Sequence, residues 1–213
     1  HVQDTLSSGA GLCVEKVVRS VVLEAADRIR DLEDHGVRFD KNLDGEYDKV
    51  REGGHSNRRI LHSKDATGAE IERALSKAAS NEMDENFKIY ENWMAIDLIQ
   101  KEYGNPKKGV VGLWCLSPSG IVHTLPAKAI ILATGGVGFL YSSTTNPSIA
   151  TGDGVAMAFR AGAGIKDIEF IQFHPTSLVN DDSKPFLITE AMRGKGAVLK
   201  RQTDYRKSKL SKN

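Results

Sequence analysis

A mixed architecture of helices and sheet, α/β or α+β, is predicted by three features of the chain. An amphipathic helix begins near Val14, short β-like segments fill residues 87–124, and an apolar stretch at Ala129–Ala133 opens into Thr134-Gly135-Gly136. A segment apolar on both sides is what a strand covered on both faces of a parallel sheet requires. The chain has 213 residues, 40% of them hydrophobic and 27% charged, which suits one large globular domain or two small ones with a real core.

Each element has a local reason. Val14, Val17, Val18, Val21, Val22, Ala25, Ile29 and Leu32 recur at steps of three and four, one stripe of a helical cylinder, and Gly36 supplies a left-handed stop. Residues 41–64 are too densely charged for an apolar core and read as a loop with a short strand at Ile60-Leu61-His62. Thr67-Gly68-Ala69-Glu70 has the form of a capping box and predicts a helix over about 68–79. Phe87–Tyr90, Trp93–Ile99 and Val110–Leu116 read as strands, and the Ser117–Gly120 turn leads into a hairpin partner at Ile121–Thr124. A short helix is expected at Gly154–Ala161 and a strand at Ile168–Phe173. The chain has no internal repeat.

Five clusters could carry chemistry. Ala133, Thr134, Gly135 and Gly136 sit at a strand end, where glycines let the backbone approach a nucleotide; a plain strand-to-loop turn explains them equally simply. Asp153, in Thr151-Gly152-Asp153-Gly154, could accept from a sugar hydroxyl beside a helix N-terminus, or merely cap that helix. His174 precedes a proline just past the predicted strand, and a packed histidine is the bland alternative. Glu190 and Arg193 are one helical turn apart, as is common for an exposed ion pair. Glu52, in Arg51-Glu52-Gly53-Gly54-His55-Ser56, adds a carboxylate on a flexible loop close to Arg58-Arg59.

Charge and cysteine content narrow the classes. Lys and Arg number 29 against 28 Asp and Glu, so the whole chain is no general polyanion binder. The exception is Lys200–Asn213, with six basic residues and one acidic. No apolar run approaches the ~20 residues of a membrane span. Two cysteines, Cys13 and Cys115, build neither a disulfide framework nor a metal cluster, which leads to the expectation of a reducing, cytoplasmic compartment and no metal.

The order of six motifs is more specific than any one of them. HVQDTLSSGAGLC, REGGHSNRRILHSKDATG, ILATGG, TTNPSIATGDGVAMAFRAGAG, IEFIQFHPTSL and FLITEAMRGKGAVLK follow one another from His1 to about Lys200. In this the chain resembles the flavoprotein family that unites L-aspartate oxidase with the succinate dehydrogenase and fumarate reductase flavoprotein subunits. The EGGHS element is similar to the aspartate-oxidising branch, in which an acid stands where the other branch has an uncharged residue. The physics agrees: aspartate differs from succinate chiefly by an α-ammonium, which a carboxylate at Glu52 would meet with a charge-assisted hydrogen bond of roughly 1.5–3 kcal/mol.

The resemblance implies FAD as cofactor and oxidation of L-aspartate to iminoaspartate, with oxygen or fumarate as acceptor, as the first step of de novo NAD biosynthesis. It implies quinolinate synthase as a partner that consumes the imine. It places Ala133–Gly136 and Asp153 along the flavin nucleotide, His174 and Thr189 on the substrate's distal carboxylate, Glu52 on its amino group, and Glu190 with Arg193 in proton delivery. It further implies an incomplete FAD-binding doubly wound domain over residues 1–165, with inserted helices and a β-meander, and the start of an α+β capping domain over 166–213. No G-x-G-x-x-G fingerprint follows a strand in this sequence, and RQTDYRKSKLSKN departs from the family pattern. The resulting expectation is an internal piece of an aspartate-oxidising flavoprotein, inactive and poor at holding FAD on its own. Two rivals stand beside it: a fumarate reductase or succinate dehydrogenase flavoprotein piece, and a non-catalytic nucleotide-binding or interaction module.

Overall fold

A computed structural model describes residues 1–201 except 175, 181, 182 and 195. The basic string from residue 202 onward and Pro175 of the FHP motif therefore lie outside the described residues. The chain divides into two compact units, one of residues 1–88 with the segment from Thr189 onward, the other Ile89–Ile188.

The first unit opens with helices α1 (Val2–Ser8) and α2 (Glu15–Asp34). The α2 stripe splits along its length. Val18, Val22, Ala25, Ile29 and Leu32 are half-buried, whereas Val14, Val17 and Val21 stay exposed, because only the C-terminal turns reach the core. That core is Val37, Phe39 and Ala74, with Ile29, Leu32, Tyr47, Leu61 and Ile71 packed on it. Gly36 ends α2 as expected: at φ 92° its N–H bonds the Glu33 carbonyl, and the Val37 N–H reaches Leu32 at 3.0 Å. This paired closure, with Val37 packed on Leu32, is a Schellman stop.

Residues 41–64 are more ordered than their charge suggests. Lys41 bridges Tyr47 around an Asn42–Gly45 turn, and β1 (Lys49–Val50) pairs antiparallel with β2 (Ile60–Leu61). Tyr47 anchors this hairpin by packing on the core while its hydroxyl donates to Glu33 at 2.6 Å. Helix α3 (Thr67–Asn81) forms, but the capping box does not. Thr67 Oγ1 instead accepts the Ser63 N–H, and Glu70 accepts the Arg38 N–H at 2.9 Å while both its oxygens pair with Arg73. That carboxylate is taken up by a charged fork and a distant backbone N–H and not by the start of its own helix. The Arg73 hydrogen bonds, followed by Arg38, hold the Glu70 carboxyl down to about 2.

In the second unit β3 (Met94–Gln100), β4 (Val110–Leu116) and β5 (Val122–Pro126) make the predicted meander, antiparallel in that order. Leu98 faces Leu113 and Trp114 faces Thr124. The Ser117–Gly120 turn closes by the Ser117 N–H to Ile121 carbonyl bond. Helix α4 (Asp153–Arg160) is tied to β3 by Arg160 Nε to Asp97 at 2.8 Å and Gln100 to the Arg160 carbonyl at 2.9 Å. A hairpin of β6 (Ser177–Asn180) and β7 (Ser183–Leu187), absent from the sequence-based expectation although the turn-forming run Asn180-Asp181-Asp182-Ser183 joins the two strands, completes the unit.

Three predicted strands are corrected. Phe87–Tyr90 is not a strand, since Asp84 Oδ1 captures the Asn86 and Phe87 N–H groups and turns the chain there. Ile168–Phe173 is likewise irregular. Ala129–Ala133 pairs with no neighbour among the described residues, and Ile131 is 91% exposed. Every strand pair described is antiparallel, so these residues contain no parallel sheet. Apolarity on both sides marks a segment able to occupy the middle of a sheet, but hydrogen bonding to neighbours is what makes it a strand.

Candidate functional site

The glycine turn after Ala133 is built against the start of α4. A Cβ added to Gly154 would lie 1.7 Å from Thr134 Oγ1, and one on Gly152 would lie 2.4 Å from Val137 Cγ1. Only hydrogen fits at either position. By contrast nothing lies within 4 Å of a Cβ placed on Gly135 or Gly136, so this backbone stands open, and residues 133–136 are all exposed. Gly152, at φ 81°, is the N-cap of α4, and no side chain caps the helix. The capping alternative for Asp153 is thereby set aside: it is the first helical residue, exposed, and it accepts the Thr151 hydroxyl at 2.9 Å. An uncovered glycine backbone beside an uncapped helix N-terminus and an exposed carboxylate has the chemistry of a nucleotide cradle. The residues present fit FAD.

His174, in the same unit, is half-buried and lines a hollow of about 170 Å³ with Tyr141, Thr144, Asn146 and Phe173. Its Nδ1 lies 2.9 Å from the Thr176 carbonyl and 3.3 Å from the Thr176 N–H. One nitrogen cannot donate and accept at once, so the ring's tautomer decides which of these two contacts is the hydrogen bond. That leaves Nε2 for other partners. The Tyr141 and Phe173 rings meet edge to face at 5.3 Å beside it.

In the first unit a larger cleft of about 890 Å³ is lined by Glu52, Arg51, Arg58, His62, Lys64 and Thr189, among others. Glu52 is half-buried in it and has no ion-pair or hydrogen-bond partner among the described residues for its carboxylate, despite the cations around. Thr189 precedes α5 (Glu190–Gly194), on which Arg193 pairs with Glu190 at 3.0 Å, as the spacing predicts. A Cβ on Gly53 would lie 3.6 Å from Glu190 Oε1, so the Glu52 loop and the start of α5 are neighbours. Two expected substrate contacts, Glu52 and Thr189, thus share one cleft, with the Glu190–Arg193 pair at its edge. His174, Ala133–Gly136 and Asp153 belong to the other unit.

Two features of the cleft carry no sequence signal. His62, to which no role is given above, sits between two carboxylates, with Nδ1 3.2 Å from Asp40 and Nε2 3.5 Å from Asp48. The second approach makes no hydrogen bond, and Nε2 has no hydrogen-bond partner among the described residues. Asp4, on α1, accepts the Ser56 N–H at 2.8 Å, the Ser56 hydroxyl at 2.9 Å and Arg59 Nη1 at 2.7 Å. These bonds, the Ser56 N–H first, hold its carboxyl well below the usual carboxylate range. The partners are more than fifty residues apart, beyond any local pattern.

Comparison with known proteins identifies the family. A family described as an FAD binding domain matches residues 1–209. The chain is 44% identical over 208 residues to an L-aspartate oxidase of Vibrio cholerae, covering 94% of this chain and 38% of that protein. It is 47% identical to an L-aspartate oxidase of Yersinia pestis (94% and 39%), and 44% identical to a chloroplastic L-aspartate oxidase of Arabidopsis thaliana (93% and 32%). Among solved structures it superposes on E. coli quinol fumarate reductase FrdA with TM-score 0.86 at 29% identity, covering 97% of this chain and 34% of that one. The apo Sdh1 complex of Mycobacterium smegmatis gives TM-score 0.80 at 33% identity, covering 95% and 35%. The chain spans between about a third and two fifths of the length of these relatives. No helix among the described residues is long and apolar enough to cross a membrane.

Proposed function

The chain belongs to the FAD-binding family that L-aspartate oxidases share with the fumarate reductase and succinate dehydrogenase flavoproteins, and from that premise we propose that the whole protein oxidises L-aspartate to iminoaspartate. Cα–H would leave as hydride with its bonding pair, the ammonium would lose a proton, and the lone pair so freed on nitrogen would form the C=N bond, a second proton leaving to give the neutral imine. Bound FAD supplies the two-electron acceptor, and oxygen or fumarate takes the electrons onward as hydrogen peroxide or succinate. The reaction would open NAD biosynthesis.

The chain's own residues bind and orient. Ala133–Gly136 and Asp153 hold the flavin nucleotide by open backbone and one carboxylate. Glu52 receives the substrate ammonium. Thr189 and His174 hold the distal carboxylate, with Nδ1 of His174 turned toward Thr176 and Nε2 left for the substrate. Glu190 and Arg193 pass a proton toward fumarate when fumarate is the acceptor. Residues 1–165 would form part of a doubly wound FAD-binding domain, and those from 166 onward the beginning of its cap.

One observation carries the choice of substrate: Glu52 is held in the Thr189 cleft with its charge uncommitted among the described residues. Aspartate fills that vacancy of charge and succinate does not. The test is Glu52→Gln in the full-length flavoprotein. The Michaelis constant for L-aspartate should rise roughly 10- to 150-fold, the equivalent of one charge-assisted bond, with that for fumarate changed less than about threefold. Equal effects on both substrates would favour the dicarboxylate-only reading suggested by the fumarate reductase and succinate dehydrogenase neighbours.

A further inference from the structure

We propose that Asp4, on the first helix, is a positioning residue for substrate selection, which holds the Glu52 loop in place and keeps Arg59 from neutralising Glu52. The proposal rests on the reading that Glu52 receives the substrate ammonium.

The loop between β1 and β2 runs from residue 51 to 59; around the flexible Gly53-Gly54 pair its internal backbone bond is His55 N–H to the Glu52 carbonyl at 3.2 Å. Its far end is closed on the hairpin by the Arg59 N–H to Val50 carbonyl bond at 3.2 Å. Its middle is fastened to α1. One oxygen of Asp4, Oδ2, takes the Ser56 N–H, the Ser56 hydroxyl and Arg59 Nη1, all within 2.9 Å. Two residues nearer to Glu52, Gly54 turns at φ 79° with its Cβ position 3.1 Å from Ser8 Oγ, at the last turn of the same helix. Helix α1 is thus the wall against which the loop is shaped.

Charge makes the second half of the argument. Glu52 lies in a segment that also carries Arg51, Arg58 and Arg59, and a free guanidinium on this loop is the natural partner for a half-buried carboxylate. Arg59 is withdrawn from that competition: Nη1 is on Asp4, Nη2 is 3.2 Å from Ser56 Oγ, and the Asp4 and Arg59 side chains are only 18% and 20% exposed. A carboxylate four-fifths buried and already accepting three donors is committed to the loop and not open to a ligand. Its effect must pass through the loop, on the pose of Glu52 and on the charge left to it.

The experiment uses the full-length flavoprotein with Asp4→Asn, Glu52→Gln and the double variant, assayed for L-aspartate oxidation and for fumarate reduction. Flavin content and the visible flavin spectrum serve as readouts of intact cofactor binding. Asp4→Asn should raise the Michaelis constant for aspartate between about ten- and a hundredfold, as expected for a misplaced binding group. That for fumarate should stay within about twofold, with flavin content unchanged; the double variant should be no worse than Glu52→Gln alone, because both act through one interaction. Multiplying effects in the double variant, or equal losses for both substrates, would overturn the proposal. If Glu52→Gln is selective and Asp4→Asn is silent, the proposal falls and the Glu52 reading stands; if Glu52→Gln is silent, both fall. Should Asp4→Asn fail to fold, Ser56→Ala, which removes one donor and leaves the backbone N–H, must show the same aspartate-selective rise, and its absence counts against the proposal.

Discussion

Replacing Gly154 with alanine tests the nucleotide cradle at its tightest point. The new methyl would sit 1.7 Å from Thr134 Oγ1, 2.7 Å from its Cβ and 2.9 Å from its Cγ2. Rotating Thr134 about χ1 relieves the first contact but leaves the 2.7 Å approach to Cβ, which rotation does not move. Either the glycine turn or the first turn of α4 must therefore shift. Alanine is the better helix former by up to ~1 kcal/mol, yet overpacking of a closed contact costs about 1–3 kcal/mol, so sterics should win. For a chain of this size that difference is a drop of roughly 2–12 °C in melting temperature before the propensity gain is subtracted. Thermal unfolding by circular dichroism reads the stability, and bound flavin in the purified full-length protein reads the cradle. Thr134→Gly removes all three clashing atoms, so the double variant should recover much of the loss, a coupling expected only of residues in contact. An unchanged melting temperature with stoichiometric flavin in Gly154→Ala would show that the turn and α4 do not pack as described.

Two further outcomes follow from the first unit. Glu70 is held down to about 2 chiefly by Arg73, so its contribution to stability is fully present above its ordinary value of 4.5 and is lost as pH falls toward 2; Glu70→Gln should flatten the denaturation midpoint across that window, and an unchanged slope would refute the clamp. Gly36→Ala places a side chain at φ 92° in the α2 stop and should cost about 1–2 kcal/mol in urea unfolding, with a loss under ~0.3 kcal/mol arguing against the left-handed closure.

Local pattern made legible what local forces decide. The α2 stripe, its Gly36 stop, the meander around Ser117–Gly120 and the Glu190–Arg193 turn all rest on residues within a few positions of one another. Failures arose where a distant partner intervened. Thr67 and Glu70 have the spacing of a capping box, but Ser63 and the pair Arg38 and Arg73 claim their side chains. Ala129–Ala133 has the composition of a central strand, yet no neighbour among the described residues pairs with it. Residues 41–64 look like a solvated loop because their order comes from Tyr47 reaching Glu33 and from carboxylates gripping backbone N–H groups.

The candidate site divides along the same line. Glycines after Ala133 and ahead of Asp153 are visible as glycines, but that Gly154 and Thr134 touch is a fact of folding, since twenty residues separate them. Glu52 draws attention by its charge type, whereas the withdrawal of Arg59 onto Asp4 depends on a contact 55 residues long. A carboxylate on an arginine-rich loop is better able to receive an ammonium ligand when a cation of that loop, here Arg59, is held elsewhere. Residue identity at position 52 is therefore insufficient by itself: a chain keeping Glu52 but lacking an acid at position 4 should lose its preference for an amino-acid substrate while still binding a dicarboxylate.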